Sequence, residues 1–175
     1  RSLSDWELAS RLSYFLWASM PDEELFELAA TGKLSRPDVL RSQMRRMLLD
    51  EKAESFVQSF GGRWIGFHRL AEVAPDPDVF PDWDEELRRA MLGEMENLFR
   101  HVMREDRSVL EFLDADYTFA NDRLRRHYGW PETGTPGFER VALAKDEIRG
   151  GLLTQAGVLT VASQPTRSSP VFRGV

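Results

Sequence analysis

Histidine, carboxylate and hydroxyl side chains are the residues of this sequence that could do chemistry, because the chain contains no cysteine. The histidines, His68, His101 and His127, lie far apart on different predicted elements. Only His101 has a ligand-type residue at helical spacing, Glu105, and a metal site needs further ligands. We therefore expect a helix-end cation at His127, surface side chains at the other two positions, and no metal site in this chain.

Acidic residues crowd one short segment, where they suggest calcium. A calcium loop between helices has a central glycine and ends in a bidentate glutamate, whereas this segment carries prolines at positions 75, 77 and 81. We interpret its aspartates as turn and capping residues, and we interpret the later pair at 114 and 116 as part of a turn over 114–117. The aspartates of the crowded segment are Asp76, Asp78, Asp82 and Asp84.

No hydroxyl or glycine pair stands in a catalytic motif. Ser10 and Ser13 lack a nearby histidine and the Gly-x-Ser-x-Gly setting of a hydrolase nucleophile. The glycine pairs at 61–62 and 150–151 lack the rest of a phosphate-binding loop. The sequence thus predicts no catalytic residue, and it leaves open whether the chain is part of an enzyme.

The net charge of the chain bears on which kinds of molecule it could bind. The chain carries 29 acidic and 23 basic residues, a net charge of −6. Nucleic-acid binding depends on Lys and Arg that neutralise phosphates, so we exclude it. We assign Arg41, Arg45 and Arg46 to the solvated face of a helix. No apolar run approaches the roughly 18 residues that a membrane-spanning helix needs, and we expect no membrane span.

Capping signals and apolar periodicity predict a mainly α fold. Ser4 and Glu7 have the spacing of a capping box and begin a helix predicted over about 5–19. The longest helix is predicted over about 82–104, where apolar residues recur at spacings of three and four. The apolar stripe of this helix is Leu87, Met91, Met95, Leu98 and Val102. Further helices are predicted over 22–31, from Pro37 with the stripe Leu40, Met44, Met47 and Leu48, from Asp50 with an interruption at Gly61-Gly62, over 109–113, and from Asn121 to Tyr128.

The C-terminal part of the sequence is less regular. Residues 132–137 are rich in Pro, Gly and Thr and predict a loop, and residues 138–143 alternate weakly, as in a short strand. Residues 152–161 favour a helix over a strand, and residues 163–170 are predicted to be irregular. The predicted fold class is mainly α, a multi-helix orthogonal bundle with a short irregular or hairpin-like C-terminal segment.

Two sets of sequence runs resemble known families. The first set resembles the domain of unknown function 1592 and consists of LASRLSYFLW (8–17), SMPD (19–22), RSVL (107–110) and DADYTF (114–119). The second set resembles the start of the domain of unknown function 1588, which usually follows the first domain. It consists of RGGLLTQAGVLT (149–160), PTRSSPV (165–171) and RG (173–174). The resemblance implies a helical domain over 1–131, a linker over 132–148 with a possible short strand, and the start of a second domain over 149–175.

The resemblance also implies a setting for the chain. Such domains occur in large secreted or periplasmic proteins of Planctomycetes and similar bacteria, together with c-type cytochrome segments. The second domain typically carries a Cys-x-x-Cys-His motif further downstream. We therefore expect a fragment of a larger extracytoplasmic protein, with no cofactor in this chain and a c-type haem elsewhere in the protein. The family has no established catalytic residues to carry over.

Three hypotheses for function follow. The first is a structural and interaction module of a haem-associated, redox-active protein, whose partners are the neighbouring domains of the same chain. The second is part of an enzyme whose active site is completed by a downstream haem domain. The third is a carbohydrate- or surface-binding module, favoured if Trp64, Trp83 or Trp130 is exposed in a groove.

Polar residues concentrate in the C-terminal segment, where we predict a contact surface for an anionic partner. Arginine offers a planar fork of donors that suits carboxylates, so a haem propionate or an acidic face of the next domain fits this surface. The alternative is that these residues solvate a linker between two domains. The predicted contact residues are Arg149, Thr166, Arg167, Ser169 and Arg173.

Overall fold

A computed structural model describes residues 2–144 and 147–168. Its first helix begins at the capping box that the sequence predicts, and its second helix also begins at a capping side chain. Helix α1 (Asp5–Trp17) has the capping box: the Glu7 amide donates to the Ser4 hydroxyl, and the Glu7 carboxylate accepts from the Ser4 amide. Helix α2 (Glu23–Ala30) begins at Asp22, which accepts from the Leu25 amide. These side chains satisfy backbone donors that a helix start leaves unpaired.

The chain divides into two compact units, a first unit up to Phe60 and a second unit from Gly61 onward. In the first unit, α3 (Pro37–Leu49) is joined to α1 by a buried hydrogen bond from the Trp17 indole N–H to the Met47 carbonyl, at 2.9 Å. The prediction that Met44 belongs to the buried stripe of α3 is wrong, because Met44 is 41% exposed. Gln43 is buried instead, since its amide donates to Glu24 and accepts from Arg46.

Short helical segments follow α3. They are a 3-10 helix (Glu51–Ala53), α4 (Glu54–Phe56), a π-helical segment (Val57–Gly61), α5 (Gly62–Ile65) and a second 3-10 helix (Phe67–Glu72). Gly61 and Gly62 allow a close approach within the second unit, because a Cβ atom on either would lie 3.2 Å from an aromatic ring, of Phe99 and Phe67 respectively. The predicted interruption of a fourth helix at this glycine pair therefore takes the form of a π-helical turn.

Helix α6 (Glu85–Arg104) is the longest element and runs through the core of the second unit. It begins at Asp84, whose carboxylate accepts from the Leu87 amide at 2.6 Å. The five apolar residues of the predicted stripe are all buried. Other core residues of this unit include Phe67, Leu70, Ala120, Leu124 and Ala156.

A small antiparallel sheet lies beside α6. After α7 (Glu111–Asp114), strand β1 (Tyr117–Ala120) leads through α8 (Asp122–Tyr128) to strand β2 (Glu139–Ala142). The strands pair from Tyr117 opposite Ala142 to Ala120 opposite Glu139. The strand predicted over 138–143 is thus present. The turn predicted over 114–117 covers only the approach to β1, because Tyr117 is already its first residue.

The C-terminal segment folds back onto the second unit. It forms a 3-10 helix (Leu152–Thr154), α9 (Ala156–Val161), and two short strands, β3 (Ser163–Gln164) and β4 (Arg167–Ser168), which pair as a hairpin. Helix α9 packs against α6 and against the 3-10 helix Phe67–Glu72. The described part of 163–170 is therefore a hairpin and not irregular, because backbone pairing links Ser163 to Ser168.

The mainly helical fold class is confirmed. The division into sequence domains at 131 and 148 stays a prediction, as does the orthogonal bundle geometry. Over residues 2–144 and 147–168, none of the helices combines the length and the apolar character that crossing a membrane requires.

Candidate binding pocket and the buried carboxylate behind it

The second unit contains a pocket of about 680 Å³. Its walls come from four parts of the chain that are distant in sequence: residues 69–83, the first half of α6, the end of α8, and residues 149–165. Pockets of roughly 300–1,000 Å³ that are largely apolar and carry a few polar groups are the usual form of a binding site. The size and composition of this cavity make it the candidate site.

Most of the surface inside the pocket is apolar. Its apolar lining includes Leu87 and Met91 of α6 and Leu159 and Val161 of α9. The hydroxyl groups of α9 and β3 are bound within the fold: Thr160 donates to the Met91 sulfur at 3.8 Å, and Ser163 donates to the Leu159 carbonyl at 2.6 Å. Because these two hydroxyl groups are already hydrogen-bonded, the polar character of the pocket comes mainly from its charged side chains.

Arg149 is held against the pocket wall by an aromatic ring. Its guanidinium carbon lies 3.8 Å from the ring centroid of Tyr128, a cation–π contact. One terminal nitrogen donates to the Thr154 carbonyl at 3.4 Å, and the Glu147 carboxylate is 3.8 Å from Nε. The Thr154 hydroxyl accepts from the Gly150 amide at 2.7 Å, which fixes the loop that carries Arg149.

Other charged side chains line the same pocket. Arg69 and Glu72 come from the 3-10 helix, and Asp82 from the loop before α6. His127 also lines it, and its pKa is lowered by removal of the ring from water and then by the positive charges of Arg123 and Arg149. With two arginines and two carboxylates, the pocket has little net charge when His127 is neutral. Any selectivity for charge must therefore depend on which group is held in place.

A buried carboxylate lies directly behind the pocket wall. Glu94 of α6 is 1% exposed. Its Oε1 accepts from the Thr118 hydroxyl at 2.7 Å, and its Oε2 accepts from the Tyr128 hydroxyl at 2.7 Å. The Tyr128 hydroxyl in turn accepts from the Ala156 amide at 2.9 Å. The carboxylate thus links α6 to β1, α8 and α9.

Burial dominates the protonation of Glu94. Loss of water raises its pKa to about 7, although the hydrogen bonds from Thr118 and Tyr128 and the charge of Arg149 act in the opposite direction. Burial also raises the pKa of the Tyr128 hydroxyl, and the neighbouring Glu94 charge raises it further. Tyr128 therefore stays a neutral donor, while Glu94 can gain or lose a proton near neutral pH.

Gln155 closes this polar network on the side of α9. The residue is 3% exposed, and its amide nitrogen lies 3.5 Å from the Thr118 hydroxyl. Its Oε1 atom is buried and has no hydrogen-bond partner within the described residues. Buried acceptors without a partner are uncommon, so this atom is a point at which the network can take a further donor.

The predicted contact residues are placed differently from one another. Arg149 lines the pocket. Thr166 is exposed in the turn of the β3–β4 hairpin. The backbone of Arg167 pairs with Gln164, but its side chain, like Ser169 and Arg173, lies outside the described part of the chain. The anionic contact surface as a whole stays a prediction.

The histidines do not form a common site. His68 is exposed and its Nδ1 contacts the Gly62 carbonyl at 2.7 Å. His101, predicted at the surface, is partly buried, because its ring packs edge-on against Tyr117 at 5.3 Å and also contacts Phe119. His127 lies in the last turn of α8, as expected, and it also lines the pocket, where its lowered pKa disfavours the expected cation.

The aspartates before α6 act in turns and caps. Asp76 accepts from the Asp78 amide at 2.9 Å, and Asp84 caps α6 and pairs with Arg123 at 3.0 Å. Over the described residues, no cluster of three or more His, Asp and Glu side chains is arranged to hold a metal ion.

The tryptophans bear on the carbohydrate hypothesis. Trp64 is 59% exposed, but its ring packs edge-on against Phe99 and Phe112. Trp83 is partly buried and lines the pocket, and Trp130 is partly buried against Tyr128. Trp83 is therefore the tryptophan that could offer a ring to a ligand in the pocket.

Glu94 and Tyr128 were not identified from the sequence. A signal was present for Glu94, because it lies three residues after Met91 and four before Leu98, on the apolar face of α6. A carboxylate in such a stripe needs buried partners. The partners themselves, Thr118 and Tyr128, carry no sequence signal, since they lie on two other elements, β1 and α8.

Comparison with known proteins gives a family. The family model described as PSD4, protein of unknown function (DUF1592), matches residues 3–130. No curated protein and no solved structure gave a match.

Proposed function

The chain belongs to the family of proteins of unknown function DUF1592, and we propose that it is an interaction module that binds a partner group in the pocket of its second unit. The observation that carries this proposal is the cavity itself, about 680 Å³ of mainly apolar space with a fixed arginine at its wall. Such a combination binds an apolar body and orients it through a polar group.

Binding fits this pocket better than chemistry by its own residues. A nucleophilic hydroxyl has to lie within hydrogen-bonding distance of a base. Among the described lining residues, the Thr160 and Ser163 hydroxyls donate to a thioether and a backbone carbonyl. The Tyr128 hydroxyl does donate to the Glu94 carboxylate, but its raised pKa keeps it protonated and makes it a poor nucleophile. An enzymatic role would need groups from another domain or partner.

We also propose the larger setting, an extracytoplasmic, haem-associated protein in which the neighbouring domain supplies the partner group. The resemblance of residues 149–160 and 165–171 to the start of a second domain supports this setting. Covalent haem attachment needs cysteines, and this sequence has none. The haem would therefore belong to another part of the protein, and no step of the binding proposed here involves it.

A matched pair of tryptophan substitutions tests the pocket. Ala74 lines the pocket and Ala71 does not, and both are exposed. We expect a neutral apolar fluorophore, N-phenylnaphthylamine, to bind the wild-type chain. Ala74→Trp should weaken it about tenfold or more by filling the cavity, a loss of roughly 1.4 kcal/mol. Ala71→Trp should bind as the wild type does. No binding to the wild type, or equal losses in both variants, would contradict the proposal.

A further inference from the structure

Contacts within the second unit hold the Arg149 side chain in one place at the pocket. The Tyr128 ring lies under the guanidinium, and the Thr154 carbonyl takes one of its donors. Its Nη2 has no hydrogen-bond partner among the described residues, and the side chain is 28% exposed. An arginine held in this way presents donors that match the two oxygens of a carboxylate.

Arg69, the other arginine of the pocket, is less suited to this role. It is exposed, and Glu72, one helical turn further along the same 3-10 helix, brings an opposite charge to the same wall. Contacts between exposed charges are screened by water and contribute little. Arg149 also has a carboxylate nearby, Glu147 at 3.8 Å from its Nε, but Tyr128 and Thr154 hold its guanidinium in place. The fixed positive charge of the pocket is therefore that of Arg149.

We propose that the pocket takes an apolar carboxylate whose carboxyl group pairs with Arg149, and that Glu94 competes with this ligand for the same positive charge. The inference rests on the binding function proposed above and names the chemical class of the ligand. Tyr128 provides the geometry, because its ring carries Arg149 on one side while its hydroxyl donates to Glu94.

The charged and titratable groups around Glu94 make this competition specific. Tyr128 faces it from α8 and Arg149 from the loop before the 3-10 helix Leu152–Thr154. Strand β1 contributes the uncharged Thr118, and α9 carries no ionisable side chain. The 3-10 helix Phe67–Glu72 carries His68, Arg69 and Glu72, all exposed. On α7, Glu111 is paired with Arg107 and Tyr117, and Asp114 is exposed.

Binding of the carboxylate ligand should be accompanied by uptake of a proton at Glu94. A carboxylate bound at Arg149 withdraws the positive charge that helps to keep Glu94 ionised. The pKa of Glu94, about 7 without ligand, then rises, and Glu94 takes up a proton on binding. At a pH above this value, the Glu94 charge repels the ligand and weakens its binding.

Charge selectivity is tested by displacing the neutral fluorophore with naphthoate or with naphthalenemethanol, its uncharged analogue. We expect the wild-type chain to prefer the carboxylate by about tenfold or more, the usual effect of a charge-assisted hydrogen bond. Arg149→Gln should abolish this preference, because the affinity for naphthoate should fall far more than the affinity for its uncharged alcohol, and Arg69→Gln should retain most of the preference. If the fluorophore binds but the wild-type chain shows no preference, the carboxylate inference is wrong and the proposed binding function stands.

Glu94→Gln tests the competition. At about pH 8, above the Glu94 pKa of about 7, the variant should bind naphthoate about three- to tenfold more tightly than the wild type. At about pH 5.5 the two should agree. His127 becomes charged at low pH in both proteins, so the comparison is made between them at each pH. If the variant and the wild type bind naphthoate equally well at pH 8 as well as at pH 5.5, and both still bind the fluorophore, then Glu94 does not compete with the ligand.

A peptide arm distinguishes the two sources of such a carboxylate. A short apolar peptide with a free C-terminal carboxylate is compared with its amidated form in the same assay. Tighter binding of the free peptide than of naphthoate assigns the site to a protein terminus, and the reverse assigns it to a small molecule. The proposal is contradicted if the wild-type chain binds the free peptide no more tightly than its amide and naphthoate no more tightly than its alcohol.

Discussion

At the scale of single residues, Glu94 shows how a helical pattern can hide a polar site. The period of α6 predicts which of its positions are buried, and each predicted apolar position is buried in the structure. Glu94 occupies the same face, but its hydrogen-bond partners lie 24 and 34 residues away along the chain. Sequence periodicity can locate such a residue, whereas only the fold shows whether its burial is satisfied.

The first stability prediction concerns Glu94→Gln. The folded pKa of about 7 lies above the ordinary value of 4.5, so the folded state holds the proton more tightly than the unfolded state. The stability that this group contributes is complete below about pH 4.5 and is lost as the pH rises through 7, by about 3 kcal/mol in total. Glutamine does not titrate. The free energy of unfolding of the variant, relative to wild type, should therefore rise by about this amount between pH 4.5 and 8.

Urea unfolding at several pH values measures this difference. His101 and His127 have lowered pKa values, so their contribution runs in the opposite direction, with stability gained as the pH rises. Both histidines are present in the variant and the wild type, and their effects cancel in the difference. Glu86→Gln, on the exposed side of the same helix, should follow the wild-type profile. If the free energy of unfolding depends on pH in the same way for Glu94→Gln and for the wild type, burial does not raise the pKa of Glu94.

At the scale of elements, caps were predictable and strand pairing was not. Ser4 and Asn121 each cap the helix that they were expected to begin, because capping depends on residues only a few positions apart. Strand β1 has four residues and follows a helix directly. Its partner β2 lies beyond α8 and a loop, so nothing local in the sequence indicates the pairing.

The second stability prediction concerns the glycine that turns the chain toward the pocket. Gly151 has φ +63° and ψ −177°, a conformation that is essentially restricted to glycine. A Cβ atom there would lie 2.4 Å from the Leu113 carbonyl carbon and 2.7 Å from the Phe112 oxygen, both in the backbone. Gly151→Ala should therefore reduce the free energy of unfolding by about 3 kcal/mol or more, and it should weaken naphthoate binding by displacing Arg149.

Gly129→Ala is the matched control. Gly129 also has a positive φ, +73°, but a Cβ atom there would meet nothing within 4 Å. This variant should lose only the cost of the left-handed conformation, about 1–2 kcal/mol. Denaturant unfolding compares the two. Equal losses would show that backbone conformation alone, and not contact with α7, requires glycine at position 151.

At the scale of the whole chain, composition and periodicity predicted the fold class but not the site. The lining residues of the pocket lie up to 96 positions apart along the chain, from position 69 to position 165. Each segment taken alone is explained by a turn, a cap or an apolar stripe. Of the residues proposed to bind the ligand, only Arg149 was predicted as a contact, because it lies in a segment with an unusual concentration of polar groups.

The whole chain also carries a prediction about metals and haem. With no cysteine in the sequence, covalent attachment of a c-type haem to this chain is excluded by its chemistry. The histidines lie in separate environments: His68 on a backbone carbonyl, His101 among aromatic rings, and His127 at the pocket. We therefore expect elemental analysis of the purified chain to find well below one equivalent of any transition metal.

Haemin addition extends this test to the pocket. Haemin carries carboxylates, so weak binding through Arg149 is compatible with the proposed ligand class, whereas axial coordination by His127 is not expected. The absorption spectrum of added haemin should thus be the same for the wild type and for His127→Gln. A coordinated-haem spectrum that disappears in His127→Gln would assign His127 as an iron ligand. The pocket would then be a haem site, and the separation of this chain from the haem of the larger protein would be wrong.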